Sequence, residues 1–169
     1  SRDQEIPMGE DGWTIFVYLC GSDLESDGGA ASDDIEEALA AYPSQQIRVV
    51  YQTGGSSYWY QDISDERLER FVLENGELQK VDERPNANMG DAGTLSEFLI
   101  WGVQHYPAER MGVILWDHGS GSINGVCFDE QYEYDSLSVA EMAAAFDRVY
   151  DSMTDRFEFI GFDACLMST

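Results

Sequence analysis

The chain has 169 residues, 43% hydrophobic and 12% aromatic, which is enough apolar surface for one ordinary domain and excludes a disordered polymer. Thirty-three acids against nine bases give a net charge of −24, which argues against nucleic acid and anionic membranes as partners and favours cations or basic peptides. No apolar run approaches the roughly 18 residues of a membrane span, and the start, Ser1 to Glu5, has no signal-peptide character. Cys20, Cys127 and Cys165 are odd in number and form no C-x-x-C pair, so neither a disulfide framework nor a zinc knuckle is indicated and at least one thiol is expected free.

Residues 1–12 are polar, with Pro7 and Gly9, and read as a flexible lead-in to a domain over 13–169. Trp13 to Cys20 is a continuous apolar run suited to a strand buried on both faces. The acidic stretch Gly21 to Gly29 reads as a flexible loop. Asp33 with Glu36 resembles a capping box, and Ile35, Ala38, Leu39 and Tyr42 follow at helical spacing up to Pro43. Ile47 to Gln52 is the second strand. Arg67 to Glu74 and Glu77 to Glu83 flank Asn75-Gly76, a two-residue hairpin signal, and predict a small excursion at the sheet edge. Thr94 with Glu97 predicts a capping box opening a helix whose apolar face is Leu95, Phe98, Leu99 and Val103 and which ends by Pro107. Met111 to Trp116 is the third core strand. A long loop through Cys127 and Asp129 to Asp135 follows it, then a helix capped by Ser138 and Glu141 through about Tyr150, and a last strand, Phe157 to Phe162. Strand and helix alternate, so the fold class is α/β with a mostly parallel central sheet flanked by helices.

Ligands of such sheets bind at the carboxyl ends of the strands. There the third strand leads into Asp117-His118-Gly119 and the last into Asp163-Ala164-Cys165. If these strands are parallel neighbours, about 4.8 Å apart, His118 and Cys165 come within reach of each other. An imidazole beside a thiol can hold it as thiolate or take its proton during attack. The amides of Gly119 and Cys165 are candidate oxyanion donors, which makes acyl transfer the natural reaction. Asp117 is a poor orienter of His118, because adjacent residues of an extended chain point opposite ways; a dyad is expected. A lone cysteine is more often an inert buried hydrophobe, but a cysteine and a histidine at equivalent strand ends shift that balance. Core packing is expected for Cys20 and Cys127, and no catalytic role for His105 at a helix end.

Trp116-Asp117-His118-Gly119-Ser120-Gly121 and Gly161-Phe162-Asp163-Ala164-Cys165-Leu166-Met167 resemble the histidine and cysteine motifs of the clostripain family, cysteine endopeptidases of the caspase-like clan. Val17-Tyr18-Leu19, Asp23-Leu24-Glu25, Asn88-Met89-Gly90-Asp91 with Thr94-Leu95, and Gly125-Val126-Cys127-Phe128-Asp129 fall in family order. The resemblance implies a caspase-like sandwich, His118 as general base or acid, Cys165 as nucleophile, and Asp163 lining the primary specificity pocket. It further implies a secreted bacterial enzyme cutting after Arg, and less so Lys, in peptide or protein substrates. One departure is informative: self-maturation at a basic residue after the histidine loop is common in the family, yet Gly119 to Asp147 holds no Arg or Lys. A strand that needs cover on both faces, followed by only a few residues, predicts a following segment or second chain that completes the domain.

The chemistry requires no cofactor. Calcium is possible by resemblance; Asp23-x-Glu25-x-Asp27-Gly28 only half-matches a calcium loop, and no site is assigned. Competing readings are an inactive clostripain-like subunit acting as a binding module, an aspartyl-phosphate hydrolase using Asp163, which lacks the second acid two residues on, and a structural zinc site, which no spacing supports.

Overall fold

The apolar runs close into one sheet. The computed structural model describes residues 12–41, 46–117 and 125–164. In chain order they form β1 (Trp13–Cys20), α1 (Ser22–Gly28), α2 (Ala30–Ala41), β2 (Ile47–Gly54), β3 (Arg67–Glu74), β4 (Glu77–Pro85), α3 (Ala92–His105), β5 (Arg110–Asp117), β6 (Val126–Asp129), a 3-10 turn (Glu130–Tyr132), β7 (Asp135–Leu137), α4 (Val139–Tyr150) and β8 (Phe159–Ala164). Six strands lie in the order β4-β3-β2-β1-β5-β8, with β6 and β7 as a separate ribbon. β2, β1, β5 and β8 run parallel, while β3 and β4 are antiparallel to their neighbours. The mixed α/β architecture expected from the sequence is the one observed.

Alternation along β1 divides the core into two layers, as successive side chains must point to opposite faces. Phe16 and Tyr18 meet Leu95, Phe98 and Leu99 of α3 and Phe146 and Val149 of α4 on one side. Val17 and Leu19 meet Ala31 and Ile35 of α2, with Tyr51 and Trp116, on the other. Around β1 the sheet is thus covered by helices on both faces, as buried parallel strands demand.

Three local expectations change. The acidic stretch after β1 is a helix rather than a loop, ended by Gly29 in the left-handed conformation (φ 71°) that glycine adopts without strain. Since α2 is already under way at Ala30, Asp33 and Glu36 form no capping box there. In α3 the cap is Asp91, whose carboxylate accepts from Gly93 N at 3.0 Å. Glu97 is instead drawn to the buried guanidinium of Arg70, which also donates to Gln52 (2.8 Å) and Asp82 (3.2 Å) and stacks over Trp101. The predicted hairpin forms at the sheet edge, as the antiparallel pair β3–β4 added beside β2. The long loop before α4 contains the β6–β7 ribbon, which the sequence reading did not separate out.

Candidate active site

The carboxyl ends of β1, β2, β5 and β8 share one edge of the sheet because these strands are parallel. β5 and β8 are direct neighbours, and the register pairs Trp116 with Asp163 and Asp117 with Ala164. The residues that follow this last rung in sequence are His118 and Cys165. His118, Gly119 and Cys165 lie outside the described residues, as does the lead-in 1–11. Asp163 is placed by its backbone, two residues before the cysteine, opposite Trp116.

The ground beside this edge is built from the β6–β7 ribbon. Asp129, almost wholly buried, accepts from Met89 N (2.7 Å) and Gln131 N (2.8 Å). Burial pushes its carboxyl above the ordinary range, against the pull of those amides. Met89 O in turn accepts from the Tyr18 hydroxyl at 2.6 Å, and Asn88 donates to Asp135 at 2.7 Å. Gly90 sits so close to the Asp135 carbonyl that any side chain there would collide with it. The Asn88-Met89-Gly90-Asp91 stretch is therefore the clasp of the ribbon. Cys127 packs with its thiol facing Trp116 O (3.7 Å) and Cys20 with its thiol facing Phe128 O (3.3 Å), and both are buried as expected.

On the far side of β1, Glu25 carries a second clasp that the sequence reading missed. It has no exposed surface and accepts from Ser32 N, Ser32 Oγ and Tyr60 N at 2.7–2.8 Å. With Glu25 turned inward, the Asp23–Glu25–Asp27 spacing does not fit a calcium loop. Among the described residues no cluster of His, Cys, Asp or Glu is arranged to hold a metal ion. His105 ends α3, its Nδ1 against Trp101 O (2.8 Å) and its ring stacked on Trp101, just before β5 begins and so at the opposite edge of the sheet. A cavity of about 310 Å³ beside Arg84, Trp101 and Arg148 lies along α3, away from the strand mouths.

The clostripain family model matches residues 17–169. The chain belongs to the clostripain family. It is 25% identical over 188 residues to the clostripain of Hathewaya histolytica, in an alignment covering 91% of this chain and 34% of that protein. A secreted C11 cysteine protease from Bacteroides thetaiotaomicron, solved in complex with an irreversible peptide inhibitor, superposes with a TM-score of 0.65 at 20% identity, over 91% of this chain and 42% of that one. A structure of the protease called iotapain, from the same organism, gives a TM-score of 0.66 at 18% identity, over 97% and 48%. At these identities the structures establish the shared fold. This clostripain-family chain spans about a third of the curated relative and under half of either solved chain.

Proposed function

We propose that this chain is the catalytic part of a secreted bacterial cysteine endopeptidase that cleaves after arginine, and less readily after lysine, through a His118–Cys165 dyad. The observation that carries the reading is the Asp117–Ala164 rung, which sends the chain into His118 and into Cys165 from adjacent parallel strands. Family membership supports it.

In this mechanism the Cys165 thiolate attacks the scissile carbonyl carbon and the negative charge passes to the carbonyl oxygen, held by the amides of Gly119 and Cys165. His118, carrying the thiol proton, gives it to the leaving amine as the C–N bond breaks. Water then attacks the thioester, His118 takes its proton, and the thiol is released with the new carboxylic acid. Asp163 meets the guanidinium of the residue before the cut, where a charge-assisted pair discriminates Arg from neutral side chains. No step uses a metal, so hydrolysis is expected to survive a calcium chelator; loss of activity restored by calcium would add a stabilising ion to the scheme. A following segment or second chain completes the sheet beyond β8.

The test is hydrolysis of a fluorogenic peptidyl-arginine together with the intact mass after a peptidyl-arginine chloromethyl ketone. Cys165→Ala is expected to abolish turnover and the adduct while the circular dichroism spectrum is kept. Asp163→Asn is expected to lower kcat/KM for arginine substrates by about 10- to 100-fold, the worth of one charge-assisted pair. An adduct on another residue, or turnover by Cys165→Ala, removes the dyad.

A further inference from the structure

Three tyrosines stand out into solvent on the same edge of the sheet as the β5 and β8 mouths. Tyr58 and Tyr60, in the loop after β2, are 56% and 55% exposed, and Tyr134, just before β7, is 45% exposed. Large aromatic side chains clustered at a surface are a recognition signal rather than a packing need.

These rings are held in place. The Tyr58 and Tyr60 rings meet edge-on at 5.1 Å. Ser56 Oγ donates to Tyr58 O (2.9 Å), Tyr60 N is gripped by Glu25 (2.7 Å), and Ser57 donates twice to Glu130 (2.9 and 3.0 Å). Tyr134 occupies the left-handed region (φ 58°), an uncommon and costly conformation for a bulky residue. A platform fixed in advance loses little entropy on binding.

Carboxylates lie among the rings. Tyr60 donates to the backbone of Asp27 at 3.4 Å, and the Tyr134 hydroxyl pKa is raised by burial and then by the nearby charges of Asp23, Glu130 and Asp27. None of the ion pairs among the described residues engages Asp27 or Glu130. Tyrosine faces flanked by uncompensated carboxylates suit an ammonium or guanidinium group, through cation–π contact and charge together.

We propose that the Tyr58–Tyr60–Tyr134 face docks cationic side chains of a polypeptide substrate about three to four residues away from the bond being cut. This deepens the endopeptidase reading and rests on it. For Tyr58 and Tyr60 the distance follows from the strand order: β2 lies two strands from β5 and three from β8, so at about 4.8 Å per strand the loop after β2 is roughly 10–14 Å from the mouths. An extended peptide covers about 3.4 Å per residue, which sets the count.

The experiment measures binding of fluorescent peptides to the full chain carrying Cys165→Ala, so that nothing is cleaved. One peptide has a single Arg flanked by Ala; its partners carry Lys or Arg three and four residues from that Arg, on either side. The basic peptides are expected to bind more tightly, by about two- to fivefold per ring engaged, with the advantage falling as salt rises. Tyr58→Ser with Tyr60→Ser, and separately Tyr134→Ser, are expected to erase the advantage, whereas the matching Phe variants keep it. In the active chain the same Ser variants should leave hydrolysis of a one-residue arginine reporter unchanged. Equal binding of basic and neutral peptides, or an advantage that persists in the Ser variants, overturns the patch. Failure of the unmodified chain to cut any arginine peptide overturns the endopeptidase reading, and the binding arm still decides the patch.

Discussion

Glu25 holds three donors from two segments with a carboxylate that has no exposed surface. Truncating it leaves Ser32 N, Ser32 Oγ and Tyr60 N facing a void, each an unmet donor costing about 1–3 kcal/mol. Glu25→Ala is therefore expected to lose about 3 kcal/mol or more in urea unfolding, and Glu25→Gln, which keeps one acceptor oxygen, less. An equal loss for both variants would show that charge, not acceptor count, matters. Asp129 adds a pH dependence of known sign. Burial raises its folded-state pKa above the unfolded value, so the stability it contributes is fully present below the unfolded pKa of about 3.9 and is lost as pH rises through the folded one. The stability gap between the native chain and Asp129→Asn should narrow as pH is raised from about 4; a gap that widens would reverse the assignment. Neither acid was legible as a buried group. Glu25 sits in a run of acids that reads as solvated, and its donors, Ser32 and Tyr60, lie 7 and 35 residues away, where no local pattern points to them.

Elements were legible where their determinants are local. The Ser138–Glu141 box is complete, with Ser138 Oγ accepting from Glu141 N (3.1 Å) and Glu141 accepting from Ser138 N (2.9 Å), all within four residues. The Thr94–Glu97 pattern is identical on paper, but Glu97 is claimed by Arg70 from 27 residues away and Asp91 takes the cap. Ser138→Ala and Asp91→Ala are each expected to cost about 1 kcal/mol, while Thr94→Ala stays within about 0.5 kcal/mol; a loss at Thr94 as large as at Asp91 would restore the box. The strands of the sheet were readable as apolar runs. The β6–β7 ribbon was not, because strands of four and three residues carry no periodicity, and the ribbon is held by Asp129 and Asp135 against the Met89 segment. Of the candidate site, the strand ends followed from the run-loop pattern, whereas their adjacency was a condition on the sheet order that the β5–β8 register meets. The supporting clasps had no sequence signal of their own.

At the scale of the whole molecule, charge and exposure are unevenly spread. β8 pairs only with β5 among the described residues, and Phe159, Ile160 and Phe162 on it are 38%, 39% and 50% exposed. Leu115, the cross-strand partner of Phe162, has no exposed surface at all. Aromatic residues this exposed on a parallel strand make a face that suits a covering partner. The completing segment proposed above would cover this face; the chain spans about a third of the curated clostripain it matches. The prediction concerns Phe162. In the 169-residue chain alone, Phe162→Asp exchanges one half-exposed side chain for a soluble one and should change stability by no more than about 0.5 kcal/mol. In a form that carries the proposed completing segment, the same change would place a carboxylate in a packed interface and cost more than about 2 kcal/mol. Amide hydrogen exchange over 159–162 should slow in step, since a second partner strand would take up the outer hydrogen-bonding edge. If the penalty and the exchange rates are the same in both forms, β8 is a true sheet edge and the proposed completing segment docks elsewhere.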